Sequence, residues 1–257
     1  MTGWEFERYC ERLQEQTATF ADDIVGCLAG PGAGLPVATC PGWTIADVIR
    51  HTGTVHRMAE HTVRTRATER VDPRDLGVSF PGDPAGYPGW LTDGAAALTA
   101  TLRAAGPQAQ AWTMGPDHRA AWWARRMVHE TAVHGADAVL AQGRAPELDA
   151  EQSADGIDEF LAFLPYARTT RETIKALPSG GESIHLHATD CDGEWMIRLT
   201  AGGMRWERGH GKGTVAVRGQ VAALFLFAYG RVGPGDPALE VFGDRDLLAG
   251  WAAKTTL

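Results

Sequence analysis

The densest run of chemistry-bearing side chains is Arg125-Arg126-Met127-Val128-His129-Glu130-Thr131-Ala132-Val133-His134-Gly135-Ala136-Asp137. As a metal-ligand motif it is one residue longer than HExxH. The difference matters, because ligands on one helix reach a common ion only when three or four residues apart. His129 and His134 are five apart and, at about 100° per residue, diverge. Glu130 and His134 are four apart and share a face, with Asp137 three residues further along it. A carboxylate oxygen and an imidazole nitrogen together suit a borderline divalent ion.

A site built inside a helical bundle needs a further ligand from a facing helix. His51 is the candidate, mid-way along a segment whose apolar face carries Ile45, Val48, Ile49, Thr52, His56 and Ala59 at helical spacing. Two histidines and a carboxylate make a catalytic type of metal set, which keeps a position for an incoming ligand. Such a position activates water in a hydrolase or lyase. A metal- or ligand-binding module that regulates a partner is the non-enzymatic alternative.

The elements that must position these residues are helical through the first part of the chain. Helices are expected over residues 5–28, 44–66, 91–104, 120–142 and 151–166. The first ends at the breaker Gly30-Pro31-Gly32, and the second opens on a capping box, Thr44-Ile45-Ala46-Asp47. Residues 70–90, rich in Pro, Gly and Asp, read as one long loop. After residue 180 the period changes. Ile184, Leu186 and Ala188 alternate with His185, His187 and Thr189, a strand pattern. Asp192-Gly193 turns into a second strand, 195–199; short strands follow at 204–208 and 214–218, and helices at 220–229 and 245–254. The expected division is a helical domain over 1–172 and a smaller α/β domain with a mostly antiparallel sheet over 173–257, an α+β class.

Bulk properties bound the function. Of 257 residues, 44% are hydrophobic and 22% charged, as in globular proteins. No apolar run approaches the roughly 20 residues that cross a bilayer, and Met1-Thr2-Gly3-Trp4-Glu5 is no signal segment. A cytoplasmic location without membrane partner is expected. A formal charge of −8 argues against nucleic-acid binding. Cys10, Cys27, Cys40 and Cys191 make no CxxC pair and read as reduced thiols.

Two stretches carry a resemblance. Cys40-Pro41-Gly42-Trp43-Thr44-Ile45-Ala46-Asp47-Val48-Ile49-Arg50-His51 and the run from Arg126 to Ala138 resemble the paired signatures of the mycothiol-dependent maleylpyruvate isomerase family. Gly193 to Leu199, Val215 to Gly219 and Tyr229-Gly230-Arg231 resemble that family's smaller domain. The resemblance implies a DinB-like four-helix bundle holding zinc or a similar ion, with mycothiol, the low-molecular-weight thiol of actinobacteria, as cosubstrate. The matching ligand positions are His51, Glu130 and His134, and Arg231 matches an arginine that faces the site. The implied activity is isomerisation of a maleylpyruvate-like substrate, or thiol transfer to another small electrophile. Where the family carries a bulky or basic residue after the second histidine, this chain has Gly135-Ala136, expected to leave room beside the ion.

The neighbouring side chains have plainer readings. His129 is expected to hydrogen-bond a carbonyl or a ligand. Asp137 orients His134 or an adjacent helix. His56 reads as a core histidine, His61 as solvent-facing, and Arg125 and Arg126 as surface cations. Trp43, Trp122 and Trp123 read as core, Cys40 as a buried structural thiol, and His185 and His187 as an exposed sheet face.

Overall fold

The computed structural model describes residues 4–255, so Met1-Thr2-Gly3 of the start read above lies outside the described residues. The chain separates into two compact units, Met1–Glu147 and Leu148–Leu257.

The first unit is built on helices α1 (Phe6–Leu28), α2 (Ile45–Thr65), α3 (Tyr87–Ala105) and α4 (Ala120–Ala141). In α1 the residues Tyr9, Leu13, Phe20 and Ile24 recur at helical spacing and are buried. The capping box of α2 is formed: Asp47 N–H donates to Thr44 Oγ1 (3.3 Å) and Thr44 N–H to Asp47 Oδ2 (2.9 Å). These reciprocal bonds fix where α2 begins, and hence the level at which His51 projects. Residues 70–90 are shorter as a loop than expected. They hold two short 3-10 turns, Pro73–Leu76 and Pro84–Gly86, and α3 starts at Tyr87, with Pro88 in its first turn. Helix α4 packs on both α1 and α2. Trp123, Ala124 and every residue from Arg126 to Val139 except Glu130 are buried, so its polar side chains are enclosed as well.

The second unit contains α5 (Ala150–Phe163), α6 (Arg171–Lys175), β1 (Ser183–Ala188), β2 (Glu194–Thr200), β3 (Gly203–Arg208), β4 (Val215–Gly219), α7 (Val221–Ala228), β5 (Leu239–Gly243) and α8 (Arg245–Thr255). The sheet order is β3-β2-β1-β4-β5; β1 and β4 are parallel and the other neighbours antiparallel. Ile184, Leu186, Trp195, Ile197, Val215 and Val217 are buried, and α7 packs on β1 and β4.

Helix α5 belongs to this second unit, which moves the boundary upstream of the expected 172–173. The reason is polar as well as apolar. Asp158 accepts from Trp195 Nε1 (2.7 Å) and Arg208 Nη2 (2.8 Å), and Tyr229 Oη donates to Glu159 Oε2 (2.8 Å). α6 and β5, five residues each, were not expected. Both are too short for a period to register.

Candidate metal centre

Among the described residues three groups of side chains converge: His51–Glu130–His134, Cys40–His134–Asp137 and His185–His187–Glu194–His210. Within each group the potential ligand atoms lie within 4.8 Å of one another. The first two share His134 and form one centre in the bundle.

That centre is assembled by α2, α4 and the turn before α2. Glu130 and His134 share a face of α4 and meet His51 from α2. Glu130 Oε1 is 3.0 Å from His51 Nε2 and 3.3 Å from His134 Nε2. The other end of each α4 ligand is tied down. Arg126 Nη2 donates to Glu130 Oε2 at 2.6 Å, and His134 Nδ1 lies 2.9 Å from Asp137 Oδ2. Asp137 is itself held, accepting from Thr39 Oγ1 (2.6 Å) and Cys40 Sγ (3.3 Å). The Trp43 ring packs against both imidazoles, with centroids 4.9 Å from His51 and 6.2 Å from His134.

The charges follow from this arrangement. Burial opposes ionisation of Glu130, yet the Arg126 charge and the hydrogen bonds of His134 and His51 hold its carboxyl well below the usual range. Burial also opposes a charged His134, but Asp137, Cys40 and Glu130 outweigh it and raise the imidazole well above its ordinary value. Both shifts favour a charged Glu130 beside a charged His134, and their Oε1 and Nε2 face each other at 3.3 Å, where a cation could take the place of a proton.

The donor set fits a borderline divalent ion. Two imidazole nitrogens and one carboxylate oxygen face each other, and the groups that orient them sit behind. Asp137 behind a ligand histidine is the carboxylate–histidine arrangement common around zinc.

Several side chains have roles that the sequence reading did not assign. Arg126, expected at the surface, is only 4% exposed and grips Glu130; its i,i+4 relation to Glu130 was the available signal. Trp43, expected in the core, is half-buried, packs against the core and forms a wall of the centre. Cys40 is half-buried against Asp137. Gly135 does not open space at the centre, because a Cβ there would point at Phe20 of α1. Trp123 is core, and His129 is fully buried outside the three converging donors. His56 is buried, with Nε2 2.8 Å from Thr131 Oγ1 and Nδ1 lacking a hydrogen-bond partner. Burial pushes its imidazole down to about 3. Arg231 lies just past α7 in the second unit, where its Nη1 donates to Tyr229 O at 2.7 Å.

His185 and His187 are not a free sheet face. His185 is 5% exposed, and both lie against Glu194.

Comparison with known proteins gives a consistent answer across both units. Residues 14–139 match the model of the mycothiol maleylpyruvate isomerase N-terminal domain, and residues 151–250 that of the MDMPI C-terminal domain. No curated protein matches the sequence. Among solved structures, the mycothiol-dependent maleylpyruvate isomerase superposes with a TM-score of 0.60 at 16% identity, covering 93% of each chain. A histidine-to-alanine mutant of that enzyme superposes at 0.59 and 15% identity, again covering 93% of each chain. No helix among the described residues is long and apolar enough to cross a membrane.

Proposed function

We propose, because this chain belongs to the mycothiol-dependent maleylpyruvate isomerase family, that it is a cytoplasmic metal-dependent enzyme. It uses mycothiol to isomerise a small electrophile such as maleylpyruvate, or to transfer the thiol to a related natural-product intermediate. One observation carries the reading: His51 Nε2, Glu130 Oε1 and His134 Nε2 converge inside the bundle while Arg126 and Asp137 occupy the opposite atoms of the two α4 ligands.

His51, Glu130 and His134 would hold a divalent ion, zinc foremost, which would supply the acidity needed to lower a thiol's pKa at neutral pH. The chain's own residues do the rest. Asp137 accepts from His134 Nδ1 and so selects the tautomer whose Nε2 carries the lone pair. Arg126 neutralises Glu130 and leaves Oε1 as the presenting oxygen. Trp43 shields one side of the imidazoles from water. Arg231 is assigned the substrate's carboxylate or the enolate oxygen, which a guanidinium binds in two-pronged fashion.

The test is metal analysis combined with a thiol-dependence assay. We expect about one metal per chain at this centre, lost in His51→Ala. Mycothiol should stabilise the fold by about 2.7 kcal/mol at 100 times its Kd, as ligand linkage requires, and the gain should be read as a higher melting temperature. Arg231→Ala should raise KM for a carboxylate substrate and leave metal content unchanged. Activity that persists without any thiol would replace this reading with a hydrolase or lyase. Protein purified without chelator and still metal-free would remove the metal from it.

A further inference from the structure

We propose a second metal site in the C-terminal unit, formed by His185, His187, Glu194 and His210, that takes a divalent transition ion and pins the 209–213 loop to the sheet. Three adjacent stretches of chain supply it. His185 and His187 are two apart on β1 and so share a face. In the antiparallel register His187 stands opposite Glu194 at the start of β2. The chain leaving β3 is held beside Glu194 by Gly209 N–H donating to Glu194 O at 3.1 Å, which brings in His210.

The donors surround one carboxylate. Glu194 Oε2 lies 3.2 Å from His185 Nε2 and 2.8 Å from His210 Nδ1, and Oε1 lies 3.0 Å from His187 Nδ1. The imidazoles stand edge-on to one another, with centroids 5.4 to 6.4 Å apart. Each of these nitrogens is placed to donate an N–H to the carboxylate, and one divalent cation can replace those protons and take all four groups as ligands. Three nitrogens and one oxygen suit zinc, nickel, cobalt or copper, and are too poor in oxygen for magnesium or calcium.

The backbone is built for the approach. In Gly209-His210-Gly211-Lys212-Gly213, a Cβ on Gly211 would strike Met196 Cε, and one on Gly213 would strike Val215 O and crowd His185 N. Glycine at these positions lets the loop lie on the face that carries His185. His185 is buried and His210 is 79% exposed at the side chain, so the set has a fixed floor and an accessible lid. A cavity of about 510 Å³ reaches it, bordered by His187, Glu194, His210 and Arg208. Four protein donors fill a tetrahedral shell, the ligand count of a structural site, in contrast to the three of the bundle centre.

The experiment uses the full chain, stripped of metal and titrated with Zn²⁺ by calorimetry, with Co²⁺ absorption as a second readout. Parent protein, His51→Ala, His210→Gln, His187→Ala/His210→Gln and His51→Ala/His187→Ala/His210→Gln are compared, each checked for fold by circular dichroism. The expected result is one binding event retained in His51→Ala and lost in the double and triple variants. His210→Gln, at an exposed side chain, should weaken that event by at least about tenfold, the lower end of what second-sphere changes cost. Zn²⁺ binding by His51→Ala that the His187 and His210 changes do not alter overturns the proposal, as does no binding by folded His51→Ala. Failure of the bundle reading is separable: the parent protein then shows no binding event that His51→Ala removes, whatever happens at the sheet cluster.

Discussion

The bundle centre and the sheet cluster use the same side-chain types under opposite conditions. In the bundle, Glu130 is 16% exposed and is backed by Arg126 at 5%, so the donors are held by buried charge and hydrogen bonds. In the sheet, the ion-pair partners of Glu194 among the described residues are the histidines of the cluster, and one of these faces solvent. Orientation is therefore prepaid in the first and supplied by the ligand in the second. A preorganised three-donor set suits turnover, and a four-donor set that closes over an ion suits holding a loop.

The largest expected effect tests this difference directly. Glu130→Ala leaves Arg126 buried without its carboxylate, and removing one member of a buried pair costs about 3–5 kcal/mol. We expect a loss of that size in denaturant unfolding, together with loss of the bundle metal. Glu194→Gln removes the corresponding group from a partly exposed cluster and should cost under about 1 kcal/mol in metal-free protein. Equal losses at the two positions would erase the distinction.

Next in size is Asp137→Asn. The amide can no longer hold His134 in one tautomer, so affinity at the bundle centre should fall roughly 10- to 100-fold with the fold intact. Calorimetric titration of His187→Ala/His210→Gln protein, in which the second cluster is removed, isolates that number. An unchanged affinity would reduce Asp137 to a packing role.

Acid should separate the two regions too. His56 titrates at about 3 in the folded protein against an ordinary 6.5. The unfolded chain thus binds a proton there that the folded chain refuses, across the window between those values. The penalty is nearly absent at pH 7 and grows as pH falls through 6.5 toward 3, to about 3 kcal/mol at pH 4. His56→Leu, measured metal-free, should flatten the stability profile over this window relative to the parent. Parallel profiles would show that the buried imidazole escapes to solvent before the bundle unfolds.

How much of this could be read from the residues depends on the range over which they act. His51, Glu130 and His134 were legible because two of them are one helical turn apart and the third lies on a strongly amphipathic helix. Asp137 followed from the same period. Arg126 stood at a readable i,i+4 distance, but its burial depends on α4 being enclosed by α1 and α2, which a composition pattern does not reveal. The His185 cluster was half legible: the alternation on β1 was plain, whereas the partners Glu194 and His210 depend on strand register and on a glycine loop folding back. The domain boundary was missed for a similar reason. α5 reads as one more amphipathic helix, and its contacts assign it to the second unit: Asp158 meets Trp195 and Arg208, Glu159 meets Tyr229, and the helix packs on α7.

The smallest expected effect concerns Gly135, where sequence and structure disagree about what the missing side chain is for. If the glycine made room beside the ion, Gly135→Ala would intrude on the centre and weaken metal binding. In the structure the added Cβ would meet Phe20 Cγ at 3.5 Å and Cβ at 3.6 Å, which is ordinary van der Waals contact against α1. Alanine also favours the interior of a helix over glycine by about 0.8–1.0 kcal/mol. Gly135→Ala should therefore be neutral to slightly stabilising, by up to about 1 kcal/mol, and metal affinity should not move. A stabilised protein with a weakened centre would mean that α4 turns its glycine toward the ligands after all, and the small residue would again have to be counted as part of the substrate pocket.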